Sequence, residues 1–405
     1  MPGHNAARAA LVGALNEQNQ ERDGERLAMK YAKMAQSPFV FLRGACPLFY
    51  AALPATPLLH EVPSAWCCGD LHFENFGSYK GDNRLVYFDI NDYDEAALAP
   101  ASWDLLRLLS SIECGADELR VGAEQAAAVS RSCLDAYRTA LANGKPLWME
   151  RETSTGLIGE LLSSLQSRER AAFLDKRTVC KGHRRQLKID GLKALPVTAA
   201  QREAVTAFMV DFAARQSAPG FFNVLDVGRR IAGTGSLGVD RFVILVEGKG
   251  SPDGNYLLDL KAARPSALAP QLAALGLRQP AWPSEAARVA GVQKYMQAVD
   301  SAWLHAVEMD GRPYILKALQ PAEDRVAIGD WGRKIERLHE VVAGMGRILA
   351  WDQLRASGRG GAACADDLIA FARRVDWADE MLTTAAAMSR ATRQQWQLFV
   401  AARLM

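Results

Sequence analysis

The longest block of strand pattern in this chain is Phe221 to Leu319; apart from a strand at Arg84 to Ile90 after the turn Tyr79 to Arg84, the sequence on both sides of it largely follows helical spacing. That segregation constrains the fold more than any other feature. Strands that alternate with helices build a parallel α/β sheet, whereas strands set apart from helices build an α+β protein with its own antiparallel sheet. Inside the block, Arg229-Arg230-Ile231, Arg241 to Glu247 and Asn255 to Lys261 read as strands, with Ser251-Pro252-Asp253-Gly254 as a hairpin turn. A helix over Ser284 to Val299 follows. Two further strands, Trp303 to Glu308 and Pro313 to Leu319, meet at Met309-Asp310-Gly311-Arg312.

The flanks are helical. Apolar spacing predicts helices over Asn16 to Gln36, Pro100 to Glu113, Asp117 to Ala142, Ser154 to Phe173, Ala199 to Ala214, Ile328 to Arg355 and Ala365 to the end. Phe39-Val40-Phe41-Leu42 is a short buried run, and Gly358-Arg359-Gly360-Gly361 is a joint. There is no internal repeat.

Charge and cysteine usage narrow the function classes. Lys and Arg number 48 against 46 Asp and Glu, so a formal net charge of +2 gives no field suited to nucleic acid. No apolar run is long enough to span a membrane, and Met1 to Arg22 lacks a signal-peptide pattern. Seven cysteines without a Cys-x-x-Cys point to reduced thiols, hence to a cytoplasmic protein without a disulfide frame or zinc site.

Two motifs carry chemistry. The first is Gly69-Asp70-Leu71-His72-Phe73-Glu74-Asn75, followed by Tyr87-Phe88-Asp89-Ile90-Asn91-Asp92. An Asp and an Asn five residues apart, then a carboxylate closing a short strand, form the acidic and amide set of phosphoryl transfer. One Asp receives the acceptor's proton, and the Asn and the later Asp hold magnesium. That assigns Asp70 as base, with Asn75 and Asp89 as metal ligands. The second is Gly233-Thr234-Gly235-Ser236-Leu237-Gly238. Glycines so spaced let backbone N–H groups approach phosphates. A dinucleotide glycine loop opens a helix; this one opens the strand Arg241 to Val246, as a nucleotide flap on a hairpin does. The following strand ends at Lys261, which is placed to hold phosphates, and Glu285 or Gln293 on the next helix could pair with it.

Gly69 to Asp104 resembles aminoglycoside and choline phosphotransferases, and Gly233 to Gly238 resembles the glycine loop of protein kinases. The order of Arg43-Gly44, the Gly-Asp-x-His-x-x-Asn block, Asp89 to Asp92, the late glycine loop and Arg288-Val289 resembles the bacterial family catalogued as domain of unknown function 2252, over roughly residues 30 to 350. The resemblance implies a two-lobed, kinase-like α+β fold with extra helices. ATP and Mg²⁺ would sit in the cleft, with Gly233, Gly235, Ser236, Gly238, Lys261 and Glu285 on the nucleotide. Chain order departs from a kinase, because the catalytic loop precedes the flap; circular permutation accommodates this, since a packed core is indifferent to chain order. The expected divisions are 1–65 helical, 66–220 catalytic loop and helices, 221–325 the β-rich nucleotide lobe and 326–405 the remaining helices. Cys68 stands where phosphotransferases usually have His, and Trp351-Asp352-Gln353 replaces a run that often contains one.

The expected activity is transfer of the γ-phosphate to an unidentified hydroxyl, on a small molecule by analogy. A nucleotide-binding pseudokinase and an AMP transferase are the alternatives. Asp70 and Asn75 could instead be turn residues, Lys261 a surface lysine, and Asp92, Asp94 and Glu95 a solvated acidic loop. Asp104 could brace the catalytic loop or simply sit in a helix first turn. The basic run Arg168 to Lys188 is a solvated face or an anion receiver. A two-metal phosphoesterase is excluded: none of the six histidines forms an Asn-His pair, and Gly182-His183 lies among cations.

Overall fold

The computed structural model describes residues 2–166, 168–320, 325–332 and 334–402. The strands in chain order are β1 (Ser64–Cys67), β2 (Phe76–Lys80), β3 (Val86–Ile90), β4 (Ala97–Pro100), β5 (Met149–Glu150), β6 (Thr178–Lys181), β7 (Arg184–Leu187), β8 (Ala194–Leu195), β9 (Val224–Arg230), β10 (Arg241–Val246), β11 (Tyr256–Ala262), β12 (His305–Met309) and β13 (Arg312–Ala318). The fold is α+β, but among the described residues only β9 to β13 fall in the block Phe221 to Leu319, and β1 to β8 precede it. Six strands form one antiparallel sheet in the order β12-β13-β11-β10-β9-β8.

Alternation divides the faces of this sheet. Phe242, Ile244, Val246, Leu258, Leu260 and Leu316 pack against Val205, Phe208, Met209 and Phe212 of the helix Ala199–Ala214. That helix starts at Thr198, whose side chain accepts from Gln201 N in a capping box. The opposite face carries Arg241, Val243, Asp259, Lys261, Ile315 and Lys317, and it looks into a cleft. Its far end is covered by Leu174 and Leu187, brought by the helix Arg170–Asp175 and the β6–β7 hairpin.

The remaining chain packs around the largest apolar core. At its centre is the helix Ser102–Cys114, buried along nearly its whole length. The hairpin β2–β3 and the pair β1–β4 bring residues 68–95 to the cleft. Most elements lie near their expected bounds. The expected single helices over 154–173 and over 365 to the end are each two, Gly156–Gln166 with Arg170–Asp175 and Ala365–Arg373 with Ala378–Ala401; position 167 lies outside the described residues, as does 333 in the expected helix 328–355. Phe39 to Leu42 is helical within Pro38–Gly44, capped by Ser37.

Candidate functional site

One stripe of the helix Ser102–Cys114 holds the loop that follows β1. Asp104, Arg107 and Ser111 share a face at helical spacing. Asp104 Oδ2 accepts from Cys68 N at 2.7 Å and Oδ1 from Gly69 N at 3.0 Å. Arg107 Nε donates to Asp70 Oδ1 at 3.0 Å, Nη2 donates to the same oxygen, and Nη2 also reaches Leu42 O at 3.0 Å. Ser111 Oγ accepts from Phe73 N at 3.2 Å. Asp104 therefore braces the loop. Burial pushes its carboxyl up to about 6, against the pull of the two backbone donors.

With Oδ1 engaged by Arg107, Oδ2 is the Asp70 oxygen turned to the cleft. Burial raises the Asp70 carboxyl, and Arg107 opposes the rise. Asn75, at the end of the 3-10 turn Phe73–Asn75, donates Nδ2 to Asp70 O at 2.7 Å, which leaves its Oδ1 for another partner. His72 is a packing residue: its Nδ1 accepts from Glu74 N at 3.2 Å, its ring meets Phe39 edge-on, and burial holds it well below the usual imidazole range.

The glycine turn arrives from the opposite side. A Cβ on Gly235 would lie 3.2 Å from Arg43 O and 3.7 Å from Asp70 Oδ2. The turn thus reaches Asp70 across the cleft, despite the separation in sequence. Gly238 has φ +88°, a conformation open mainly to glycine. Ser236 lines the recess above Asp70 with Gly233 and Gly235. Residues outside any motif pin the turn. Arg22 Nη1 donates to Gly235 O at 2.7 Å and Leu237 O at 2.6 Å, and Arg26 Nη1 donates to Val239 O at 2.9 Å.

Lys261 projects from β11 into the cleft with 9% of its side chain exposed. Its carboxylate partners among the described residues are Asp94, in direct ion pair, and Asp92 at 4.0 Å. Glu285, one of the two expected partners, pairs with Arg288 one turn along its own helix at 2.7 Å. Gln293 does line the cleft, but its Nε2 donates to Gln297. Arg288 ties the sheet to the catalytic segment through Asp94 O at 2.8 Å and Arg264 O at 2.9 Å.

Asp89 does not line the cleft. On β3 it lies opposite Gly77, its Oδ1 accepts from Ile90 N at 2.8 Å, and the carboxyl is turned toward Asp352 and Arg355 rather than the cleft. Asp92, just beyond the strand end, where the backbone is free of the pleat, is one of the carboxylates that line the cleft. Its side chain is 47% exposed. Burial alone would raise it, but Lys261, Lys317, Arg241 and Arg325 draw it below the usual range.

Together these groups line a cleft of about 520 Å³, a volume suited to a nucleotide-sized ligand. A smaller recess at its inner edge contains Asp70. Ten cations and five carboxylates line the larger space. The basic run divides: Arg177 and Lys188 face the cleft, while Arg185 is buried between Asp175 and Asp253 at 2.6 Å each. Among the described residues no three His, Cys, Asp or Glu side chains gather into a metal-binding group.

A family model described as an uncharacterized protein conserved in bacteria matches residues 22–402. The chain belongs to that family, DUF2252. Its match spans both the Asp70 segment and the sheet, so the two motifs belong to one DUF2252 unit. No curated protein and no solved structure matches the chain. Among the described residues no helix is long and apolar enough to cross a membrane.

Proposed function

We propose that this DUF2252 protein is a kinase-like transferase that moves a phosphorus-centred group from ATP to a hydroxyl acceptor, a small molecule by analogy with phosphotransferases. The observation that carries this reading is the convergence of Gly235, Lys261, Asp70, Asn75 and Asp92 on one cleft. The local order supports it as well. A glycine turn joins two antiparallel strands, a lysine lies on the third and a helix follows, as in kinases. A circularly permuted kinase-like fold accounts for that order beginning after the catalytic loop.

In this reading Asp70 Oδ2 accepts the acceptor's proton while Arg107 and Asp104 fix the loop. Lys261 leaves Asp94 to hold phosphate oxygens, and the backbone of Gly233 to Gly238 closes over them. Asn75 Oδ1 and Asp92 are hard oxygen donors and fit Mg²⁺, which often takes one or two carboxylates plus phosphate oxygens. The buried Asn91 Oδ1, without a partner in the cleft wall, adds a third oxygen nearby. The ion would supply charge neutralisation at the phosphates. The γ-phosphoryl group is the one transferred if the base lies innermost, and AMP if the phosphate tail does; Asp70 serves both.

The test is thermal-shift titration with ATP and GTP, with and without Mg²⁺, followed by mass spectrometry of phosphorylated or adenylylated products. Magnesium-dependent stabilisation by ATP is expected. Its absence at millimolar nucleotide would sink the proposal.

A further inference from the structure

The inner wall of the cleft is charged where a base would need an apolar slot. Cross-strand neighbours on the sheet face are Arg241, Lys261 and Ile315 in one row, and Val243, Asp259 and Lys317 in the next. Asp259 is almost fully buried and pairs with Arg230 and Arg241 at 2.5 Å each. These guanidiniums hold its carboxyl well below the usual range. Lys317 reaches toward Asn91 O, at 3.5 Å, and faces Asp92 and Asp259. Four cations, Arg230, Arg241, Lys261 and Lys317, thus stand around the committed Asp259, with Asp94 and Asp92 on the Lys261 side.

Farther along the sheet there is no room. Leu245 and Leu257 are covered by Leu174 and Leu187, and a Cβ on Gly228 would meet Ile189 and Leu187 side chains at 3.3 and 3.4 Å. The chain's own hairpin fills the place where a base could stack inward. Val243, Ile315 and Leu319 lie among these charges, whereas at the mouth Val40 and Leu192, which is 78% exposed, offer apolar surface. Stacking a purine on a buried Arg–Asp–Arg set would desolvate charge without return. A pyrophosphate there would meet paired guanidinium forks and two ammonium groups.

We infer that the nucleoside triphosphate binds tail-inward, with its β- and γ-phosphates in the chamber of Arg230, Arg241, Lys261 and Lys317 and its base at the mouth, so that AMP is the group transferred. This rests on the nucleotide reading above. The acceptor oxygen attacks the α-phosphorus and forms the new P–O bond. The bond from the α-phosphorus to the oxygen bridging it to the β-phosphate breaks, and its electron pair leaves with pyrophosphate. The hydroxyl proton goes to Asp70. No oxidant or further reactant is needed.

Photolabelling with 8-azido-ATP and peptide mapping test the orientation without a known acceptor. ATP-competed label on residues 33–40 or 188–193 is the expected result. ATP-competed label on Val243, Ile315 or Leu319 would overturn the orientation and leave the nucleotide reading standing. No ATP-competed label would overturn both. A second measurement uses inorganic pyrophosphate and AMP as separate probes. Lys317→Met should weaken pyrophosphate binding by about tenfold or more, since one charge-assisted contact is lost. AMP binding should change by less than about twofold, within the noise of a remote substitution. Weakened AMP binding with pyrophosphate binding unchanged would place AMP, not the tail, in the chamber and overturn the orientation.

Discussion

At the scale of single residues, the carboxylates at the end of β3 make a sharp test. Asp92→Asn should abolish Mg²⁺-dependent strengthening of nucleotide binding, because it removes a charged ligand for a hard cation. Asp89→Asn should leave that dependence in place, since its carboxyl faces Asp352 and Arg355. Calorimetric titration of ATP with and without Mg²⁺ distinguishes them, and a reversed pattern would restore Asp89 as the ligand. Asp70→Asn should keep nucleotide binding and the Arg107 contact while turnover falls by roughly 10²–10⁴. Product mass from labelled ATP is the check, and unchanged transfer would remove Asp70 from the mechanism. The Asp89–Asp352 pair gives a pH signature. Burial holds both carboxyls above their ordinary value of 3.8, and the Asp89 charge and hydrogen bond raise Asp352 further. Above that value the folded chain then binds more protons than the unfolded one, so stability falls as pH rises toward the folded values. Asp352→Asn should flatten the decline of Tm above about pH 4; parallel curves for variant and parent would refute the shared-proton account. Asp70, Asn75 and Lys261, which line one recess, stood out in the sequence because their signals are short. Asp92 was not separable from Asp89, because a strand's alternation is visible in sequence but its end is not. Arg22 was invisible, since its partner Gly235 is 213 residues away.

Single elements were legible where one periodicity ran uninterrupted. The helix Ala199–Ala214 and strands β10, β11 and β13 lie within one residue of expectation at nearly every end. The β6–β7 hairpin was hidden because its alternation falls in a run of cations, Lys181 to Lys188, whose hydrophobic signal is weak. Helix capping corrected other bounds: Asp23 accepts from Arg26 N and starts a separate helix, Gly24–Met34. The β9–β10 glycine turn offers the element-scale prediction. Gly235→Val would press a branched side chain toward Arg43 O and Asp70 Oδ2. The turn would be held off the catalytic loop while the flanking strands keep their register. MgATP affinity should fall by about tenfold, because phosphate positioning depends on close backbone approach. Tm should move by only a few degrees, as expected for about 1 kcal/mol in a protein of this size. Calorimetry and thermal melts on one preparation report both, and intact affinity would show that the turn does not touch the nucleotide.

For the whole molecule, chain order is the feature that the proposed fold must tolerate. Leu11 and Leu15 of the first helix pack with Phe399 of the last, and Tyr31 and Phe399 ring centroids are 5.8 Å apart. The two terminal helices therefore share one small core. Joining 402 to 2 costs little conformational freedom if the linker spans the gap; about 12 Gly/Ser residues reach on the order of 20 Å. Opening the chain at Gln216–Ser217, after the helix Ala199–Ala214 and before β9, breaks no sheet hydrogen bond. The rearranged chain would then run glycine turn, lysine strand, helix and catalytic loop, in the order of an ordinary kinase. It keeps the cleft, because every group there is held by tertiary contacts: Arg22 on the turn, Arg288 between sheet and loop, and Asp104 under Gly69. We expect the permutant to melt cooperatively and to bind MgATP within about threefold of the parent, about 0.7 kcal/mol. A permutant that folds but loses nucleotide binding would mean that the present connectivity itself shapes the cleft, and permutation would then be the wrong description of this architecture.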